Sequence, residues 1–277
     1  MADMSKNSKI EWKRAFMNRK TAIALAIGCV IAVIHMFRML PMVISSNAAP
    51  VKSDMQYPMN LFTGWLGGDA SSLEGLLYYI LIPILAVLPS SISFLEDKEN
   101  GYVKQIYTRD QRMDYLKAKF LSVFCVGGTV CAVPLILNFM LCATILPALY
   151  PQNLTGTFIN ANVLWFEIHE KHPLLYVMIF ILIDFVYAGF MAVLPLVFSF
   201  FSTKKFVILL MPFVIHIFTY SLSMMLPMAD SVEYAPILFL RPANGCPTLW
   251  LLLGYALFFF IVGGLLFWKM GKDEDIF

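Results

Sequence analysis

Charge is what this sequence has least of: Asp, Glu, Lys and Arg supply 14% of its residues, against 60% hydrophobic, and mean hydropathy is +0.74. A soluble domain carries roughly a quarter of its residues as charges to cover its surface, so this composition excludes one and places the chain in a bilayer. No G-x-x-x-x-G-K-[ST] phosphate loop occurs, so the chain does not cradle a nucleotide in the usual way. Histidine is rare, at 4 residues, and no H-E-x-x-H pair is present, which removes the common zinc-protease arrangement. Of the 5 cysteines, Cys29, Cys125, Cys131 and Cys142 fall in apolar runs, where they act as small hydrophobes, and Cys246 reads as exposed. No disulfide within the chain and no resident metal or cofactor is expected. The net charge of +2 gives no reason to expect a nucleic-acid partner.

What the sequence does have is long apolar runs. Crossing about 30 Å of hydrocarbon takes roughly 20 residues at the helical rise. Six runs qualify, at about 21–40, 73–95, 120–149, 174–201, 206–226 and 248–268. The expected fold is an all-α membrane protein, a bundle of six transmembrane helices forming one domain. The third and fourth runs contain Pro134 and Pro195, where a missing backbone donor predicts a bend. The first run follows a basic segment, as a secretory signal does, but it is too long for a signal core and five more runs follow, so it is expected to stay as a span. Its Ala24, Gly28 and Ala32, four apart, form a small-residue stripe that lets another helix approach, either in the bundle or at a subunit interface. Ahead of it, Ile10, Trp12, Phe16 and Met17 interleave with Lys9, Lys13 and Arg14, the pattern of a short helix lying in the membrane interface.

Six spans put both termini on one side. Sixteen of the 20 Lys and Arg lie in the N-terminal segment, the loop after the second run, the turn after the fourth and the tail. Arg38, Lys52, Lys171 and Arg241 lie at the other ends. By the positive-inside rule both termini face the cytoplasm, with the chain in the cell membrane. Between the last two runs, the less polar stretch 234–242 reads as an element dipping back toward the bilayer.

The loop at 94–120 is the most distinctive segment. It mixes six basic residues with Glu96, Asp97, Glu99, Asp110 and Asp114, whereas a pure topology signal needs only the basic ones. Val103, Ile106 and Tyr107 at helical spacing, flanked by Glu99, Lys104 and Arg109, predict a short helix with an apolar ridge and a charged rim. The alternative is a solvated charged turn. An acidic residue closing the second span, then Glu-x-Gly, an amphipathic helix, a basic turn and a Lys opening the third span resembles the cytoplasmic loop of the type-2 ABC transporter permease family. Glu96, Glu99, Gly101, Arg112 and Lys119 carry that resemblance. The position after the glycine, often a small hydroxyl residue in that family, is Tyr102.

The resemblance implies that Glu96, Glu99, Gly101, Val103, Lys104, Ile106, Tyr107 and Arg109 form a coupling helix docked on a cytoplasmic ABC ATPase. ATP and Mg would sit on that partner, and a second six-span subunit, identical or not, would complete the permease. An exporter of amphipathic or hydrophobic cargo, such as an antimicrobial peptide, drug or lipid, is the expected function. A membrane enzyme and a non-transporting immunity or sensor subunit are the alternatives.

Polar groups within the apolar runs are costly, about 2.5 to 3.5 kcal/mol for a mid-bilayer charge. Asp184 in the fourth run therefore needs partners; Tyr187 and His216 are candidates, in a structural bond or on a transport path. His35 and Arg38 belong to the outer interface. Glu167, His169, Glu170 and His172 cluster in an outer loop whose two histidines have the wrong spacing for a zinc helix. Asn153-Leu154-Thr155 is a formal glycosylation sequon.

Overall fold

A computed structural model describes residues 6–48, 59–108, 112–149, 164–226, 233–243 and 248–273. Cys246, Arg109 and the sequon lie outside these. Every element among the described residues is a helix: α1 (Lys6–Phe16), α2 (Arg19–Ala48), α3 (Leu61–Gly64), α4 (Leu73–Val87), α5 (Ser93–Glu99), α6 (Tyr102–Tyr107), α7 (Arg112–Cys142), α8 (Phe166–Lys171), α9 (Pro173–Phe198), α10 (Lys205–Met225), α11 (Pro236–Phe239), α12 (Leu249–Phe259) and α13 (Leu266–Asp273). A π-helical turn, Phe260–Leu265, joins the last two into one rod.

Five helices are long and apolar enough to cross a membrane: Arg19–Ser45, Arg112–Cys142, Pro173–Phe198, Lys205–Met225 and Leu249–Asp273. They match five of the six predicted runs. The remaining run, 73–95, is not one helix. It is split into α4, of 15 residues, and α5, by a turn that contains Pro89. Proline brings no N–H to the ladder and so favours such a turn, but it does not by itself end a helix in this chain, since α4 runs through Pro83. The third run is also shorter than read, because α7 ends at Cys142 and the chain turns there. Both α7 and α9 run on through Pro134 and Pro195 without a break in helix.

At the centre, α7 and α9 pack face to face with glycines at the contact. A Cβ added at Gly127 would fall 2.3 Å from the Cβ of Ala192, and one at Gly189 would fall 2.8 Å from the Phe124 ring. The small-residue stripe of α2 faces inward. Ala24 and Ala32 are fully buried, and a Cβ on Gly28 would meet Pro134 of α7 at 2.6 Å. The opposite face of α2, Ile23, Ile27, Val30, Ile34 and Phe37, is exposed. That division is the one expected where lipid replaces water around a bundle and close backbone approach supplies the packing.

A Gly127→Val substitution is expected to push α7 from α9 at its tightest point, with a cost of about 1 to 3 kcal/mol for overpacking. The readout is a lower temperature of detergent-solubilised aggregation, with Ile27→Val on the exposed face of α2 as the neutral control.

Candidate functional site

α1 carries a single acid, Glu11, between Ile10 and Trp12. Trp12 stacks on Phe16 with ring centroids 5.4 Å apart, and Glu11 points into the protein, 2% exposed. The elbow into α2 is pinned where the Thr21 hydroxyl donates to the Ala15 carbonyl at 2.8 Å and the Asn18 amide donates to Pro89 at 3.1 Å.

Glu11 meets Lys119 of α7, whose ammonium lies 2.9 Å from it and 2.6 Å from Asp97 of α5. Arg14 closes the circuit, 2.6 Å from Asp97 and 2.9 Å from Glu11. The Tyr115 hydroxyl donates to Asp97 at 2.9 Å. Two acids and two bases thus neutralise one another in a ring of which only Arg14, at 43% exposed, reaches solvent. Burial works against the Asp97 charge, but Lys119 and Arg14 outweigh it and hold its carboxyl below the ordinary range. The Arg14 guanidinium also lies 4.7 Å from the ring centre of Tyr102 on α6.

The sequence-predicted coupling residues all sit on this assembly, except Arg109, which is outside the described residues. Glu96 is half-exposed, 3.5 Å from Lys20. Glu99 lies 2.7 Å from Lys205, both at the surface. Gly101 caps α6 in the left-handed region, φ 70°, with open space where a Cβ would be. Its backbone angle, not crowding, favours glycine there. The apolar ridge of α6 is turned inward: Val103 and Ile106 are buried in this chain's own core. Tyr107 packs against Tyr115 at 6.0 Å and beneath Arg112 at 4.5 Å. The exposed surface of α6 is therefore polar, made of Lys104, Gln105 and Thr108. Sequence reading missed the ring itself. Its one available signal was a lone acid in an otherwise basic amphipathic helix.

A second polar cluster lies inside the bundle where α4, α9 and α10 meet. Asp184 is fully buried and accepts from the Tyr79 hydroxyl at 3.2 Å, while its other oxygen has no partner. His216, also fully buried, has Nδ1 2.6 Å from the Tyr187 hydroxyl and Nε2 3.1 Å from the Tyr79 carbonyl. Nε2–H donates to that carbonyl, and Nδ1 accepts from Tyr187. The expected partners of Asp184, Tyr187 and His216, thus pair with each other. Tyr79 is the residue that joins them to it.

At the opposite end from the ring, His35 sits between Asn138, 3.1 Å from its Nδ1, and Asp69, 3.6 Å from its Nε2. Arg38 bridges Asp69 and Glu74. Arg241, fully buried just after α11, donates to the Asp69 carbonyl at 2.6 Å. Burial opposes the Asp69 charge, but bonds from His35, Ser71 and Arg38 prevail and keep its carboxyl far below the usual range. These contacts hold the segment 233–243 against the bundle, with Ile237 and Phe239 buried.

In the loop cluster before α9, His169 is buried against Tyr176, ring centroids 5.0 Å apart, with neither ring nitrogen hydrogen-bonded. Among the described residues no group of His, Cys, Asp and Glu is placed to hold a metal ion.

No family model, curated protein or solved structure matches this chain.

Replacing Lys119 with Met leaves Glu11 and Asp97 sharing Arg14 alone. A loss of about 3 to 5 kcal/mol is expected for breaking a buried pair, read as faster amide exchange across α1. For His169, burial pushes the pKa down to about 4. The docked state then takes up its proton later than the undocked one, whose value is about 6.5. Docking of α8 is thus fully stable above about pH 6.5 and weakens as pH falls toward 4, by up to about 3 kcal/mol. Amide exchange over α8 should quicken across that window, and His169→Phe should abolish the dependence.

Proposed function

We propose that this chain is the permease subunit of an ATP-driven exporter, working with a separate cytoplasmic ATPase and a second copy or homologous subunit. In this reading α4 with α5 serves as the second of six membrane segments, both termini lie in the cytoplasm of a cell-membrane protein, and α6 is the coupling helix. The observation that carries it is the ion ring. A push delivered to the Lys104 face of α6 does not dissipate in a loose loop. Val103 and Ile106 root α6 in the core, and Asp97 ties the preceding α5 to Lys119 of α7 and to Arg14 of α1. Movement of a docked ATPase is thereby handed to α7, the helix packed on α9 at the centre. Two arrangements of the membrane helices, each favoured by one state of the ATPase, would then open and close a path.

Asp184 and His216, at the junction of α4, α9 and α10, are the polar groups such a path would meet. The aromatic and methionine-rich helices suit an amphipathic or hydrophobic cargo, whether peptide, drug or lipid.

The test is purification of the chain from its native membrane in mild detergent, followed by identification of what remains bound. A stoichiometric ATPase is expected, together with a triple variant, Glu96→Ala, Glu99→Ala and Gly101→Ala, that keeps insertion but loses at least tenfold of transport per ATP hydrolysed, about 1.4 kcal/mol of coupling. Unchanged transport in that variant refutes α6 as the coupling helix. An intact chain with no ATPase, where a known complex survives the same handling, favours the membrane-enzyme or immunity alternatives.

A further inference from the structure

Between α9 and α12 the protein leaves a crevice of about 260 Å³. Its walls include Leu182, Val186 and Phe190 on one side and Leu252, Ala256 and Phe259 on the other, with Trp165 at one end. No charged residue lines it. Its two hydroxyls are already engaged, Tyr187 with His216 at 2.6 Å and Tyr255 with the Tyr234 carbonyl at 2.8 Å. Several considerations fix what fills it. The volume is many times the ~30 Å³ of one water, and interiors rarely keep voids of that size. Water needs two to four polar partners, and besides these engaged hydroxyls the described lining side chains offer only the Trp165 indole N–H. A helix is about 10 Å across, so a helix from a second copy can cover the mouth without entering. Of the crevice's lining residues Leu182 and Leu253 are more than half exposed, on helices long and apolar enough to cross a membrane. The medium that meets this opening is acyl chain, and an uncharged wall complements an uncharged ligand. Tryptophan favours the headgroup level of a bilayer, and Trp165 precedes the N-terminal end of α9.

We propose that the crevice between α9 and α12 is a binding site for one acyl chain of a bilayer phospholipid, whose headgroup sits beside Trp165. The bound chain completes the packing of the last membrane rod, of which only 17% of the apolar window is buried by protein. The site rests on the membrane-embedded reading and not on the ATPase.

The test uses the full chain in phosphatidylcholine nanodiscs containing a phosphatidylcholine with a diazirine in one acyl chain. After illumination, labelled residues are mapped by mass spectrometry. Labelling concentrated at 182–190 and 249–259 is expected. Ala256→Phe fills the crevice and, by taking away apolar burial from the acyl chain, lowers labelling there about tenfold. Label on the exposed face of α2 should be unchanged, which reports an inserted and folded chain. If Ala256→Phe fails that control, Leu182→Phe narrows the mouth from the other wall and decides. Equal crevice labelling in both folded variants and the parent overturns the site. So does efficient crosslinking of Leu253→Cys between two copies with the crevice unlabelled, which assigns the face to a second copy. Either failure leaves the copurification of an ATPase unaffected, so the two readings fall separately.

Discussion

The end of this protein that carries α1, α5 and α6 depends on one closed circuit of charge. Glu11, Arg14, Asp97 and Lys119 come from three helices, and each acid touches both bases. In a low-dielectric setting such a set is stable only as a whole, because each member removed leaves another uncompensated. The circuit specifies more than it stabilises. An apolar contact of the same area would let α1 slide or rotate on α7, whereas bonds of 2.6 to 2.9 Å fix both register and rotation. The elements around it inherit that precision: α5 by containing Asp97, α6 by following it through a left-handed glycine, and α2 through the pinned elbow.

The bundle of long apolar helices is organised by the opposite means. Its central contact between α7 and α9 is made by absence of side chain, at Gly127, Gly128 and Gly189, with the Phe124 and Phe185 rings laid over the gaps. Among the described residues, polar groups gather where several helices meet, in small sets around Tyr79, Asn138 and Asp69. Tyr79 serves two of its neighbours at once, by hydroxyl and by carbonyl. One residue therefore ties α4 to both α9, by its side chain, and α10, by its backbone.

Much of this architecture is legible in the sequence because the physics is local. Twenty apolar residues in a row, a small residue every fourth position and an interleaved basic-apolar segment each imply their structure without knowledge of what lies far along the chain. The break in the 73–95 run was not legible, because the run holds Pro83 as well as Pro89 and the helix passes through the first; uniform hydrophobicity masks a turn that is itself wrapped in protein. The inward turn of Val103 and Ile106 was not legible. An amphipathic helix has the same pattern whether its ridge meets a partner or its own core. The ion ring was least accessible of all, because its members lie at positions 11, 14, 97 and 119 and no spacing rule joins them.

The shortness of α4 has a consequence for how the chain is built. A helix of 15 residues rises roughly 22 Å, and the turn that follows leaves backbone groups that hydrocarbon cannot satisfy. Here they are sheltered: Ser91 is buried and its hydroxyl donates to the Ala192 carbonyl of α9 at 2.7 Å, and Tyr78 and Tyr79 are enclosed on both flanks. Of the sheltering partners, Asn18 precedes α4 and its amide donates to the Pro89 carbonyl, whereas α7, α9 and α10 come later in the sequence. During synthesis α4 therefore emerges before most of the surroundings that make it a stable element. It can settle only when the second half of the chain arrives, so assembly closes around this segment last although it is made early.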